Sequence, residues 1–70
     1  MLTAAEKLRL IMKRQNKNMG ELADATGQSR QNLSNKFSRK NFSEKEIYDA
    51  ARALGCSAEI IFTLPDGTQL

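Results

Sequence analysis

Apolar residues recur at helical spacing through most of the chain and alternate with polar residues near its end. In the first segment Ala5, Leu8 and Met12 fall three or four residues apart, and charged residues lie between them. Apolar residues at this spacing occupy one face of an α-helix. Four segments of this kind predict helices at about 3–16, 19–26, 30–37 and 44–54.

Polar residues at the predicted helix starts support these boundaries. A residue of the N-cap type followed three positions later by Glu forms the capping-box pattern, in which each residue bonds the other's backbone N–H. Ser29 is a further N-cap residue, before the third helix. Gly27 and Gly55 follow the second and fourth helices, where glycine accepts a left-handed backbone at low cost. The capping-box pairs are Thr3 and Glu6, Asn18 and Glu21, and Ser43 and Glu46.

The C-terminal residues predict a strand, because apolar and polar side chains alternate over 58–64. Leu64-Pro65-Asp66-Gly67 has turn chemistry, and residues 68–70 could return as a second short strand. We therefore expect one mainly α domain over residues 1–70, a four-helix bundle with a short C-terminal β-strand or hairpin. The apolar side of the strand either covers the core near Ile47 and Leu54, or its free edge pairs with a second copy.

The third helix has an unusual composition. Leu33 and Phe37 form its one narrow apolar stripe, and no acidic residue occurs between Asp24 and Glu44. Arg can form paired hydrogen bonds with guanine, and Gln or Asn with adenine, in the DNA major groove. A solvated surface helix is the alternative, but such helices are usually rich in Glu and Lys. The candidate base-contacting residues are Arg30, Gln31, Asn32, Ser34 and Asn35.

Charge is distributed unevenly along the chain, whose net charge is +3. Residues 1–20 hold five basic and one acidic residue, residues 21–40 hold four and two, and residues 41–70 hold two and five. This asymmetry favours a polyanionic partner, although solvated basic helix faces are also common. The candidate phosphate contacts on this basis are Lys13, Arg14, Lys17, Lys36, Arg39 and Lys40.

Several classes of function are disfavoured by the composition. The chain has one Cys and no His, so an internal disulfide and a Cys/His metal site are excluded. No nucleophile–base pair or obvious carboxylate site is present, and we expect neither an enzyme nor a cofactor or small-molecule ligand. The N-terminus lacks an apolar run of signal-peptide or membrane-spanning length, so a cytoplasmic location without membrane contact is expected.

Two stretches of the chain together resemble a known family. LADATGQSRQNLSNKF, followed by a basic loop and SEKEIYDAARALGCS, is similar to the lambda-repressor/Cro-like (XRE-type) helix-turn-helix family over about residues 4–57. The resemblance implies a four- or five-helix bundle that binds double-stranded operator DNA, usually as a homodimer on a palindromic site. It implies base contacts by the third-helix residues given above. It also implies phosphate contacts by Asn18, Met19, Arg39, Lys40 and Asn41.

The chain departs from the family pattern at the third helix and at the tail. Family members usually have an aliphatic residue where Lys36 stands, and we expect Phe37 to fill that space. A strand is predicted where most members have a fifth helix, so the C-terminal strand is one candidate dimer interface. The predicted function is a transcriptional regulator, a repressor of phage or bacterial type. The alternative is a protein-interaction module, such as an antitoxin-like partner, that uses the C-terminal strand.

Overall fold

The computed structural model describes residues 1–70 as four α-helices followed by an extended C-terminal segment. The helices are α1 (Ala4–Arg14), α2 (Met19–Ala25), α3 (Arg30–Arg39) and α4 (Glu44–Ala53). A mainly helical fold is thus confirmed, and each predicted helix is present. The longest helix has 11 residues, and none of the four has the length and apolarity needed to cross a membrane.

Local side-chain hydrogen bonds fix the starts of the helices as the sequence predicts. Capping boxes are complete at Thr3 and Glu6, at Asn18 and Glu21, and at Ser43 and Glu46. The hydroxyl of Ser29 accepts the N–H of Asn32 at 3.0 Å, without a reciprocal acidic partner. These bonds satisfy backbone donors that the first turn of a helix leaves unpaired.

The helix ends differ from the predictions by one or two residues. α3 continues past Phe37 to Arg39 and ends at Lys40, whose φ of 52° is left-handed. α1 ends at Arg14, and Asn16 also has a positive φ of 56°. The side-chain amide of Gln15 donates to the carbonyl of Leu54 at 2.8 Å and so joins the ends of α1 and α4. This long-range bond gives the residue after α1 a structural role that periodicity does not reveal.

The core is a single cluster contributed by all four helices. α3 supplies Leu33 and Phe37, of which Leu33 is 1% exposed. Phe37 lies edge-on to Phe42 with ring centroids 4.9 Å apart, and the guanidinium of Arg9 lies 5.0 Å from its ring centroid. Phe37 is therefore a core residue at the end of α3, while the preceding Lys36 is only partly buried. The buried cluster is Ala5, Leu8, Met12, Leu22, Ala23, Leu33, Phe37, Ala50 and Leu54.

The predicted strand at 58–64 does not form as a regular strand. Its only ladder element is one antiparallel bridge between Thr63 and Gln69, and two backbone hydrogen bonds join Phe62 and Leu70. The turn is present, because the N–H of Gly67 donates to the carbonyl of Leu64 at 2.9 Å and Gly67 has a φ of +91°. Residues 57–61 make no backbone–backbone hydrogen bond. A strand requires a neighbouring strand, and this chain provides one only beyond residue 61.

The C-terminal arm, residues 57–70, does not cover the core. Its large apolar side chains are exposed, with Phe62 at 70% and Leu70 at 77%. The radius of gyration is 13.2 Å and the principal extents are 43 × 22 × 20 Å. A compact 70-residue domain would have a radius of about 11 Å. Ile60 lines a groove together with Ile47, but Ile60, Phe62 and Leu64 all remain exposed, so the expectation that they cap the core against Ile47 and Leu54 is not met.

Replacing Leu33 tests the dependence of the fold on its buried cluster. Leu33→Ala should lower the free energy of unfolding by about 2–5 kcal/mol, because it leaves a cavity at a buried site. Leu10→Ala is the matched control, since Leu10 is 46% exposed on α1, and it should change stability by less than about 0.5 kcal/mol. Urea unfolding followed by circular dichroism measures both. Equal losses would contradict this description of the core.

Candidate nucleic-acid interface

α2 and α3 form a helix pair joined by the four residues Thr26 to Ser29. Leu22 and Ala23 of α2 are buried in the same cluster as Leu33 of α3. Gly27 has a φ of +69°, a left-handed conformation that favours glycine. The N–H of Gln28 donates to the carbonyl of Ala23 at 3.0 Å and closes the turn. The small side chain at Ala23 fits a site where another helix packs closely.

The turn contains a chain of side-chain hydrogen bonds that leads to α3. The hydroxyl of Thr26 donates to the carbonyl of Leu22 at 2.8 Å, and the amide of Gln28 donates to that hydroxyl, also at 2.8 Å. The side-chain oxygen Oε1 of Gln28 accepts a hydrogen bond from the side-chain amide of Asn32 at 3.1 Å. Gln28 thus orients Asn32 from the preceding turn. This role of Gln28 was not predicted from the sequence, although the four-residue spacing of Gln28 and Asn32 could have indicated it.

The solvent side of α3 presents most of the predicted base-contacting residues. Arg30, Gln31, Asn32 and Asn35 are exposed, and Ser34 is half-buried. The amide of Gln31 donates to the side-chain oxygen of Asn35 at 3.1 Å. These paired amides hold donors and acceptors in defined positions on the helix surface. The structure therefore brings four of the five candidates to the exposed face of one helix.

A polar groove of about 400 Å³ runs along the second half of α3. Asn32 and Asn35 lie on its helix side, and Arg39 and Asn41 lie towards the loop that follows. Phe42 is the single hydrophobic residue of its lining. Two predicted base contacts and three predicted phosphate contacts, Lys36, Arg39 and Asn41, therefore share one open, hydrophilic surface.

The basic residues among the predicted phosphate contacts fall into two groups in the structure. The first group is exposed and has no acidic partner within ion-pair distance, so its cations are available to a polyanion. It consists of Lys13, Arg14, Lys17 and Arg39. The second group is Lys36 and Lys40, each of which has an acidic partner.

Lys40 pairs with Glu6, whose carboxylate lies 3.7 Å from its ammonium. Hydrogen bonds from the backbone N–H and the hydroxyl of Thr3, with a smaller effect of Lys40, hold the pKa of Glu6 below its usual range. Glu6 is therefore ionised at neutral pH. Both side chains are well exposed, so water and salt screen this pair and it constrains Lys40 weakly.

The remaining phosphate candidates are polar or backbone groups. The side chain and the N–H of Asn18 both bond Glu21 in the capping box. Met19 is half-buried and packs against the core, so its thioether faces inward. Asn41 is exposed beside the groove, and its N–H donates to the carbonyl of Lys36 at 3.0 Å. The backbone N–H and the side-chain oxygen of Asn18 are thus both engaged in the cap of α2.

Removing the cap of α3 tests how this helix is held. Ser29→Ala should lower the free energy of unfolding by about 1 kcal/mol, since the hydroxyl satisfies an unpaired N–H of the first turn. Ser38→Ala is the matched control on the same helix, where the side chain makes no hydrogen bond, and it should be neutral or slightly stabilising. Thermal unfolding monitors both variants. A larger loss for Ser38→Ala would refute the assigned cap.

Comparisons with protein-family models, with curated proteins and with solved structures find no significant match to this chain. Its function is therefore inferred from the chemistry and the placement of its own side chains.

Proposed function

We propose that this protein is a sequence-specific DNA-binding transcriptional regulator that uses α2 and α3 as a helix-turn-helix. The observation that carries the proposal is the exposed face of α3. Two buried anchors hold this helix, and Arg30, Gln31, Asn32 and Asn35 extend from its other side. Such a helix fits the DNA major groove, which is about 12 Å wide. Its amide and guanidinium groups match the hydrogen-bonding edges of adenine and guanine.

Cations without acidic partners support the same function. Arg39, the basic residues Lys13 and Arg14 in the last turn of α1, and Lys17 after it have no acidic partners, so they can neutralise phosphates and release counterions. Phosphate contacts position a protein on DNA, while contacts to base edges provide specificity. The basic N-terminal half and the exposed face of α3 would serve these two purposes.

Exchanging single side chains separates base recognition from phosphate binding. Sequences selected from a random oligonucleotide pool serve as the specific ligand. Gln31→Ala should weaken binding to the selected sequence by about 1–3 kcal/mol and leave binding to random DNA nearly unchanged. Arg39→Ala should weaken binding to both DNAs alike. Fluorescence anisotropy at fixed salt measures both variants. Equal losses on both DNAs for Gln31→Ala, or failure to select any sequence, would reject the proposal.

The C-terminal arm supports a homodimer, which would present two copies of α3 to a palindromic operator. Residues 57–61 have no backbone–backbone hydrogen bonds, and a segment of this kind can pair with a second strand. The neighbouring side chains Ile60, Ile61 and Phe62 are exposed. Each such side chain contributes roughly 1.5–3 kcal/mol when fully buried. A second copy offers the same unpaired segment, and a two-fold axis would bury both arms together.

An apolar groove beside the arm would take part in this dimer. It has a volume of about 420 Å³ and lies between α1, α4 and residues 56–60. Leu8, Ile11, Ile47 and Ala51 contribute to its walls. Antiparallel pairing centred on Ile60 would place Phe62 of one copy opposite residue 58 of the other, next to this groove. The same exposed arm also favours the second candidate function, a module that binds a different protein.

Solution mass tests the dimer directly. The wild type should sediment with the mass of two chains at micromolar concentration, and Phe62→Glu should sediment as a folded monomer because the charge opposes burial. Leu10→Glu introduces the same charge at another exposed apolar site and should remain dimeric. A monomeric wild type would overturn the dimer, whereas selection of DNA sequences tests the regulator separately.

A further inference from the structure

One ion pair joins the exposed helix α3 to the start of α4. The ammonium of Lys36 contacts Oε2 of Glu46. The two side chains are 26% and 28% exposed, so this pair is the least exposed of the four ion pairs in the structure. Solvent and salt screen such a pair less than the exposed Lys40–Glu6 pair. The Lys36–Glu46 ion pair can therefore persist at salt concentrations that weaken the Lys40–Glu6 pair.

The backbone, and not the lysine, determines where this carboxylate lies. Oε1 of Glu46 accepts the N–H of Ser43 at 3.0 Å, and the N–H of Glu46 donates to the hydroxyl of Ser43 at 3.2 Å. This capping box fixes the glutamate at the N-terminus of α4, where the helix dipole also favours a negative charge. Lys36 has a long, flexible side chain, so its ammonium goes to the position that Glu46 sets.

The ion pair lies in the polar groove that borders the predicted DNA-binding face. Asn32, Asn35 and Arg39 line the same groove, and Glu46 is its only acidic lining residue. An unpaired lysine here would attract phosphates of any sequence, because phosphate attraction does not depend on the bases. Pairing with Glu46 removes that attraction and leaves the amide groups of α3 in place.

We propose that Glu46 is a specificity-determining residue that holds Lys36 as a structural cation and lowers affinity for non-cognate DNA. This inference depends on the proposed DNA-binding function. Glu46 acts through Lys36 and the position of α3, and it does not contact the bases. Its effect is therefore on the ratio of specific to non-specific affinity. This role accounts for an acidic residue beside an otherwise neutral or basic surface.

Glu46→Gln isolates the charge, because Gln also completes a capping box at this position. Glu44→Gln is the matched control. It removes the same charge from the same first turn of α4, but Glu44 bonds the hydroxyl of Tyr48 and makes no contact with Lys36. The double variant Lys36→Met with Glu46→Gln removes the cation that the single variant releases. Binding to the selected sequence and to random DNA is measured for each protein as a function of salt.

Glu46→Gln should strengthen binding to random DNA more than binding to the selected sequence. One released phosphate contact steepens the slope of log K against log salt by about 0.9, which is roughly a threefold additional loss of affinity between about 50 and 200 mM salt. Glu44→Gln should shift the affinities with little change in slope, and the double variant should return to the wild-type slope. Identical behaviour of Glu46→Gln and Glu44→Gln would overturn the inference, since only net charge would then matter.

A measurement without DNA distinguishes failure of the specificity role from failure of the proposed DNA-binding function. Thermal unfolding of wild type, Lys36→Met, Glu46→Gln and the double variant should show non-additive shifts in Tm, because Lys36 and Glu46 are in contact. Additive shifts would disprove the ion pair and with it the specificity role. Non-additive shifts in a protein that binds no DNA would instead reject the proposed function and retain the ion pair as a structural contact. DNA binding with an unchanged slope in Glu46→Gln would reject the specificity role alone.

Discussion

Burial of one narrow stripe of α3 is the constraint on which the other features depend. Leu33 and Phe37 are four residues apart and are the buried residues of this helix. Because the helix is held by so few side chains, most of its circumference remains free for polar groups. The cost is that its orientation depends on a small number of contacts. Phe42 beside the ring of Phe37 and Leu22 in the shared cluster supply part of that support.

Polar contacts supply the rest of the support for α3 at both ends. At its start, two residues of the turn bond Asn32. The side-chain oxygen of Gln28 accepts the side-chain amide of Asn32, and the hydroxyl of Ser29 accepts its backbone N–H. Towards its end, Lys36 bonds Glu46 of α4, and its carbonyl accepts the N–H of Asn41. Hydrogen bonds add little net stability on average, but they restrict geometry. Their contribution here is to limit how α3 rotates on its apolar stripe, which matters for any function that depends on the direction of its side chains.

The molecule separates its polar and apolar exposed surfaces. Exposed Asn and Gln side chains lie on α3, and unpaired cations lie near the end of α3 and at the end of α1. Most of the exposed large apolar residues instead belong to the C-terminal arm beyond α4. The last 30 residues also carry the excess of acidic charge. A polyanion and an apolar partner would therefore favour different parts of the chain. In the proposed function, such a division would let a small domain bind DNA while a second copy is bound through the arm.

The sequence by itself determined the features that depend on near neighbours in the chain. The capping boxes join residues three apart, the glycine turns depend on local backbone geometry, and the core stripe follows helical periodicity, so each was predicted correctly. Contacts between distant residues required the folded chain. Gln15 reaches Leu54, and Lys36 reaches Glu46, only because the helices pack as they do. The alternating pattern at 58–64 indicated a strand, but a strand needs a partner, and the tertiary structure leaves residues 57–61 without one.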